Sequence, residues 1–125
     1  WNPAKVLRLV SKTPKGQICD VLLDQNVFAG VGNIIKNEAL FMSKVHPLSI
    51  VEKIPKRQLE AVANAAREFS LVFYRTAKKG ESLRSHLTIY GKRECPDCGE
   101  RVTVQKTGNS KRISYFCPSF QRRYV

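Results

Sequence analysis

Three of the four cysteines have a spacing that could bind a metal ion. Cys95 and Cys98 are separated by two residues, and Cys117 follows after a further 18 residues. Two thiolates at the first spacing can both reach one tetrahedral ion, and a second Cys-x-x-Cys pair beyond a hairpin would complete a zinc site. Phe120 stands where that pair would have its last cysteine. The pattern therefore supplies three of four zinc ligands.

Three interpretations of this cluster stay open. Zinc could bind the three thiolates with an outside fourth ligand, such as His86 or a water. The hairpin could instead fold without metal, with Phe120 filling the space by apolar packing, or the thiols could be redox-active. A hairpin this small and polar needs a cross-link such as a bound metal to be stable, which favours zinc. The remaining cysteine, Cys19, lies in an apolar helical run and is predicted to be a buried core residue.

A glycine-rich segment is a candidate anion site. Gly30, Gly32 and Asn33 come directly before a predicted helix, and Lys36 follows within it. Free N–H groups and the positive dipole end attract anions at a helix start, and glycine lets a phosphate oxygen approach the backbone. Asn33 adds a side-chain amide donor. These four residues are predicted to bind the sugar-phosphate backbone of DNA without reading bases, although a simple turn before a helix shows the same pattern.

The charge of the chain points to a polyanion. The 125 residues carry a net charge of +12, and residues 75–125 hold 12 of the 22 Lys and Arg but only 4 of the 10 Asp and Glu. A basic excess in one region is typical of phosphate binding, although a merely soluble basic surface would also produce it. Lys111 and Arg112, just before the last predicted strand, are expected to project from a hairpin. We predict a cleft between hairpin and helices that holds DNA.

Composition and length exclude several classes of protein. A hydrophobic fraction of 42% is enough for a globular core, and no apolar run is long enough for a transmembrane helix, so we expect no membrane partner. A Cys-x-x-Cys pair without a secretory signal favours a reduced, cytosolic setting over a disulfide framework. The start at Trp1 leads us to expect a fragment or a processed product of a longer protein.

The predicted fold class is mainly α, with about four helices followed by a small β-hairpin. The helices are predicted from the positions of Pro and Gly and from apolar residues that recur every 3.6 residues. The strands are predicted from the alternation of apolar and polar residues. We predict a helical domain over residues 1–80 and a zinc-finger-like module over 81–125. The predicted helices cover 3–10, 17–24, a segment from residue 33, and 55–76, and the predicted strands cover 101–106 and 113–116.

Residues 24–41 (DQNVFAGVGNIIKNEALF) resemble the helix–two-turn–helix motif of the Fpg/Nei DNA glycosylases. His46-Pro47 is also typical of that family, and Tyr90-Gly91-Lys92 with the Cys95/Cys98 hairpin resembles its C-terminal zinc finger. The resemblance covers essentially the whole chain and looks more Nei-like than Fpg-like. It implies the C-terminal half of a DNA glycosylase/AP lyase of base-excision repair, which flips an oxidised base and cleaves its glycosidic bond.

The resemblance also implies roles for particular residues. Asn33 and Arg112 match the positions that bind phosphates flanking the lesion. The family's nucleophile is typically an N-terminal Pro in a preceding β-rich domain, so Pro3 is not given that role and no catalytic residue is expected in this chain. The implied partner is damaged or abasic double-stranded DNA, bound by a monomer in the bacterial nucleoid or in a eukaryotic nucleus.

The segment between residues 80 and 95 is shorter than the lesion-capping loop of oxoguanine-specific members, which favours oxidised pyrimidines or a broad range of lesions. The alternative function is a stand-alone nucleic-acid-binding module without catalytic activity, because similar helix–two-turn–helix units occur in a ribosomal protein and in a topoisomerase. The hairpin with its cysteines argues against that alternative.

Overall fold

The structure, a computed structural model, describes residues 2–125. Four α-helices precede a two-stranded antiparallel sheet, as the predicted fold class requires. Two short 3-10 turns lie at Val51–Lys53 and Arg84–His86. The helices are α1 (Pro3–Val10), α2 (Ile18–Leu23), α3 (Asn33–Met42) and α4 (Lys56–Lys79), and the strands are β1 (Thr103–Thr107) and β2 (Arg112–Phe116).

Local chemistry sets the helix ends. The Asn2 side chain caps α1 by accepting a hydrogen bond from the Lys5 N–H at 2.9 Å, as expected for Asn before Pro at a helix start. Gly80 ends α4 with a left-handed φ of 69°. The Glu81 N–H then donates to the Thr76 carbonyl at 3.0 Å, which satisfies one of the last carbonyls of α4. This capping extends α4 three residues beyond the predicted end.

The main core lies where α3 packs against α4. The apolar side chains at this contact are almost fully buried, and burial of each Val, Leu, Ile or Phe among them contributes roughly 1.5–3 kcal/mol. Cys19 of α2 is also fully buried, which confirms its predicted core position. The central core side chains of α3 and α4 are Ile35, Ala39, Leu40, Val62, Ala66 and Phe69.

The hairpin pairs Thr103 with Phe116 and Thr107 with Arg112. Gly108 and Lys111, at the two ends of the connecting turn, both have positive φ, of 70° and 54°. Because the turn holds residues 108–111, β1 ends one residue later than predicted and β2 begins one residue earlier, at Arg112; β1 also begins two residues later than predicted. The hairpin has its own apolar cluster, which includes Ile89, Val102, Cys95 and Cys117 together with Phe41 of α3.

The C-terminal segment returns to the helical body. Val45 pairs with Arg122 in a parallel bridge, and the Ile50 N–H donates to the Tyr124 carbonyl at 2.8 Å. The predicted boundary near residue 80 coincides with the end of α4, but the chain beyond it contacts the helices at several places. Within residues 2–125, no helix combines the length with the apolar character that a membrane crossing demands.

Candidate nucleic-acid interface

The loop before α3 is held in shape by two side chains. The side-chain oxygen of Gln25, Oε1, accepts from the Gly30 N–H at 2.9 Å, and the side-chain nitrogen Nε2 donates to the Val31 carbonyl at 2.9 Å. The Tyr74 hydroxyl of α4 donates to the Gly30 carbonyl at 2.7 Å. Gly30 has a φ of 83°, and a Cβ there would lie 3.1 Å from the Tyr74 oxygen. Glycine at this position is therefore required both by backbone conformation and by space.

The N-terminus of α3 is open to a ligand. Gly32 is the N-cap residue and provides no side-chain cap, and a Cβ at Gly32 would meet no atom within 4 Å. The first N–H groups of an α-helix have no partner inside the helix, and the helix dipole adds a partial positive charge there. This end of α3 can receive a phosphate oxygen.

A cavity of about 310 Å³ joins the two predicted phosphate sites. It lies between the glycine loop, α4 and the hairpin. Arg112 lines it although it is about 80 residues from the glycine loop in sequence. Lys111 lies in the exposed turn next to it. The residues that line the cavity include Gly30, Gly32, Asn33, Tyr74, Tyr90 and Arg112.

The Asn33 side chain has a structural contact that its sequence position did not indicate. Its amide nitrogen donates to the Ile113 carbonyl of β2 at 2.9 Å. Because an amide nitrogen carries two hydrogens, a second donor is left for a ligand. The side-chain oxygen of Asn33, Oδ1, is buried without a hydrogen-bond partner among the described residues. Asn33 thus connects the glycine loop to the hairpin.

Lys36 differs from its prediction as a DNA-binding residue. Its side chain is fully buried, and its ammonium donates to the Ser114 hydroxyl at 2.9 Å. Burial, with a smaller contribution from the nearby charge of Arg112, lowers the pKa of Lys36 to about 8. The first turn of α3 packs against β2, which turns this side chain away from solvent. Lys36 therefore offers no exposed charge to a phosphate.

We expect the Lys36→Met variant to be at least as stable as the parent near neutral pH. Every partner of Lys36 keeps another contact, since the Ser114 hydroxyl is 2.6 Å from the Thr107 hydroxyl and the Ile113 carbonyl still accepts from Asn33. Removing a buried cation whose pKa is depressed by burial removes a destabilising group, on the order of 1–3 kcal/mol.

The pH dependence has a defined sign. The unfolded chain keeps the lysine proton up to about pH 10.4, whereas folded Lys36 releases it near a pKa of about 8. Raising the pH between these values therefore stabilises the folded parent. The gain from Lys36→Met should be largest below pH 8 and fade toward about pH 10.5. Urea unfolding of both proteins across this range measures it, and a pH-independent difference would contradict the assignment.

Two further polar residues of α3, which the sequence analysis did not select, hold the surrounding segments. The side-chain oxygen of Asn37, Oδ1, accepts from the Tyr115 N–H at 2.7 Å. The Glu38 carboxylate, fully buried, accepts from the Thr88 N–H at 2.8 Å, the Thr88 hydroxyl at 2.6 Å, the Ile89 N–H at 3.0 Å and the Tyr90 N–H at 2.8 Å. The sequence feature that could have indicated both contacts is a run of consecutive polar residues inside an otherwise apolar helix.

The three cysteine sulfurs of the hairpin lie within 4.8 Å of one another. The Cys98 and Cys117 sulfurs are 3.4 Å apart, and tetrahedral zinc with bonds of about 2.3 Å would place two sulfurs roughly 3.8 Å apart. Cys95 and Cys117 are buried and Cys98 is exposed. Burial, with a smaller contribution from the hydrogen bond to Cys98, raises the pKa of the Cys117 thiol to about 11. These residues fit three corners of a zinc site, so they could bind a metal.

The fourth position is apolar. The Phe120 ring packs against the Phe41 ring with centroids 4.7 Å apart, and the Lys44 ammonium lies 5.3 Å from its centre. His86, the suggested outside ligand, is not part of the cysteine cluster among residues 2–125. A fourth ligand would therefore have to be a water or another exogenous group.

We expect zinc to accompany the protein when it is purified without added metal, at well above about 0.2 zinc per chain. The Phe120→Cys variant should bind more zinc because it completes the set of thiolates. Phe120→Leu is the matched control, since it keeps the position apolar and adds no ligand. Plasma emission spectrometry of the three proteins measures this. Zinc-free parent protein would favour the metal-free hairpin.

Comparison with known proteins places the chain in a family. Residues 3–83 match the model of the formamidopyrimidine-DNA glycosylase H2TH domain. The chain therefore belongs to the formamidopyrimidine-DNA glycosylase (Fpg/Nei) family of DNA-repair glycosylases. It is of the Nei-like subtype, since endonuclease 8-like 3 of Mus musculus is 42% identical over 113 residues. That match covers 90% of this chain and 19% of the relative, so the chain spans about a fifth of the relative's length.

Two solved structures share the fold. A viral DNA glycosylase superposes with a TM-score of 0.85 at 30% identity, covering 95% of this chain and 44% of that protein. The Fpg of Lactococcus lactis, solved with DNA that contains an abasic site, superposes with a TM-score of 0.82 at 25% identity. That match covers 98% of this chain and 48% of the Lactococcus lactis protein.

Proposed function

We propose that this chain is the DNA-binding C-terminal part of a base-excision-repair DNA glycosylase/AP lyase that acts on oxidised bases. The observation that carries this proposal is the cavity in which Arg112 faces the open N-terminus of α3. Two independent sources of positive potential, the helix start and the guanidinium, meet there, and each can bind a phosphate oxygen of the DNA backbone. A family member solved with abasic DNA supports the same ligand class.

Each site residue has a separate role in this proposal. The backbone around Gly30 and Gly32 receives a phosphate oxygen at the helix start, and Asn33 adds one amide hydrogen. Arg112 binds a second phosphate through its planar guanidinium, with Lys111 beside it on the exposed turn. None of these groups reads a base, so they position the DNA for a catalytic residue outside this chain.

The proposed partner is damaged or abasic double-stranded DNA, bound by one copy of the chain. The place of action is then wherever that DNA lies, in a nucleus or a bacterial nucleoid. Zinc held by Cys95, Cys98 and Cys117 would fix the hairpin that carries Arg112. The preference for oxidised pyrimidines over 8-oxoguanine is also proposed, on the shortness of the segment that follows α4.

The proposal is tested by fluorescence anisotropy with duplexes that contain an abasic-site analogue. We expect binding that weakens steeply as salt rises, because counterions are released from each phosphate contacted. The chain alone should leave an abasic strand uncut. Ribosomal RNA of equal length is the competitor for the alternative function. Preferential binding of that RNA, or salt-insensitive binding, would contradict the proposal.

A further inference from the structure

The tip of the hairpin is bound to the helical body by one acidic side chain. The two carboxylate oxygens of Asp20, in α2, accept from the Asn109 N–H at 2.9 Å and the Ser110 N–H at 3.0 Å. Hydrogen bonds to an ionised group are stronger than those between neutral groups. The contact joins segments about 90 residues apart and closes the tip onto α2.

The turn is shaped to receive this carboxylate. Gly108 has a φ of 70°, and a Cβ there would lie 2.7 Å from the carboxyl carbon of Asp20. A side chain at Gly108 would therefore push the turn away from α2, in addition to the strain of a positive φ. Only glycine allows the two adjacent N–H groups to approach Asp20 this closely.

The tethered turn leads directly to Arg112. Arg112 pairs with Thr107 across the ladder, so the turn residues 108–111 connect the two. Behind the turn, the buried Thr107 hydroxyl lies 2.6 Å from the Ser114 hydroxyl. Holding the turn on α2 therefore fixes the strand end next to Arg112, in addition to the hydrogen bond from Asn33 to the Ile113 carbonyl.

Because Asp20 is acidic, the direction in which DNA affinity changes when Asp20 is neutralised tests its role. It is one of only 10 acidic residues in a chain of net charge +12, and it contacts the turn that contains Lys111 and precedes Arg112. A negative charge so close to a phosphate site repels phosphate. If Asp20 acted through its charge alone, removing that charge would strengthen DNA binding.

We propose that Asp20 is a positioning residue for phosphate binding, which holds the hairpin tip so that Arg112 faces the N-terminus of α3 before DNA arrives. This inference rests on the proposed function. It assigns an acidic residue, outside the cavity lining, to the assembly of a site for an anion. Neutralising it should therefore weaken DNA binding.

The test compares Asp20→Asn with Glu60→Gln. Both changes remove one negative charge, but Glu60 is exposed on α4. We expect Asp20→Asn to weaken binding of the abasic-analogue duplex about 3- to 10-fold at fixed salt, because an amide has one acceptor for two N–H groups. Glu60→Gln should bind as tightly as the parent or slightly more tightly.

Hydrogen exchange without DNA separates this inference from the proposed function. The amides of Asn109 and Ser110 should exchange slowly in the parent and at least about tenfold faster in Asp20→Asn. Gly108→Ala should give the same loss of protection, and the double variant Asp20→Asn/Gly108→Ala should weaken binding less than the two single effects combined.

Two results would overturn the positioning role. One is Asp20→Asn binding DNA as well as or better than the parent. The other is weaker binding with unchanged exchange at Asn109 and Ser110, since the effect would then not pass through the tether. A parent that fails to bind DNA would refute the proposed function, and the exchange rates would still report whether Asp20 holds the turn.

Discussion

Replacing Arg112 with alanine is expected to weaken DNA binding at least about tenfold, equally for damaged and undamaged duplexes. Arg112 is exposed on β2 and lines the cavity opposite the start of α3, so its loss should remove the proposed phosphate contact without opening the core. A charge-assisted hydrogen bond is worth roughly 1.5–3 kcal/mol. The slope of log affinity against log salt should fall by about one. Anisotropy titrations over a salt series measure both quantities.

Two matched variants define this result. Arg112→Lys keeps the charge but loses the planar fork, so its affinity should lie between those of the parent and Arg112→Ala. Arg67→Ala removes an exposed cation from α4, away from the cavity lining, and should change affinity little. Arg112 is a cleaner test than Asn33, because Asn33 also binds the Ile113 carbonyl. Equal binding by Arg112→Ala and the parent would refute the cavity as the DNA site.

The Glu38→Ala variant is expected to lose about 3–5 kcal/mol of stability, because it breaks a network of four hydrogen bonds to one buried carboxylate. It removes the acceptor of four hydrogen bonds from the segment Thr88–Tyr90, and it leaves the Ile89 N–H without this acceptor in a buried place, whereas the donors of Thr88 and Tyr90 are partly buried. An unsatisfied buried donor costs about 1–3 kcal/mol. Such a loss is a large part of the total stability of a small domain, which is about 5–15 kcal/mol. Tm should therefore fall by about 10 °C or more.

The conservative variant Glu38→Gln keeps one oxygen acceptor and should lose less stability than Glu38→Ala. Glu60→Gln changes an exposed carboxylate of the neighbouring helix α4 and should stay within about 0.5 kcal/mol of the parent. Thermal and urea unfolding of the three variants measure these differences. If Glu38→Ala melted within about 3 °C of the parent, the carboxylate would not hold the segment that brings Tyr90 to the cavity.

Much of the local structure could be predicted from the sequence. Pro3, Gly80 and the apolar period define helix ends and faces through short-range sterics and hydrogen bonds, which act between residues a few positions apart. The same holds for Gly30, where a left-handed turn leaves few alternatives to glycine. Cys95 and Cys98 belong to the same kind of signal, because two ligands on one turn are fixed by spacing.

The sequence by itself thus determined the helices, the hairpin, the glycine loop and the three clustered thiols. Only the tertiary structure decided that Lys36 is buried, that Glu38 holds a distant segment and that Asp20 holds the hairpin tip. Each of these contacts joins residues 50 to 90 positions apart. Such pairs depend on how α2, α3 and the hairpin pack, and no local propensity or spacing encodes that arrangement.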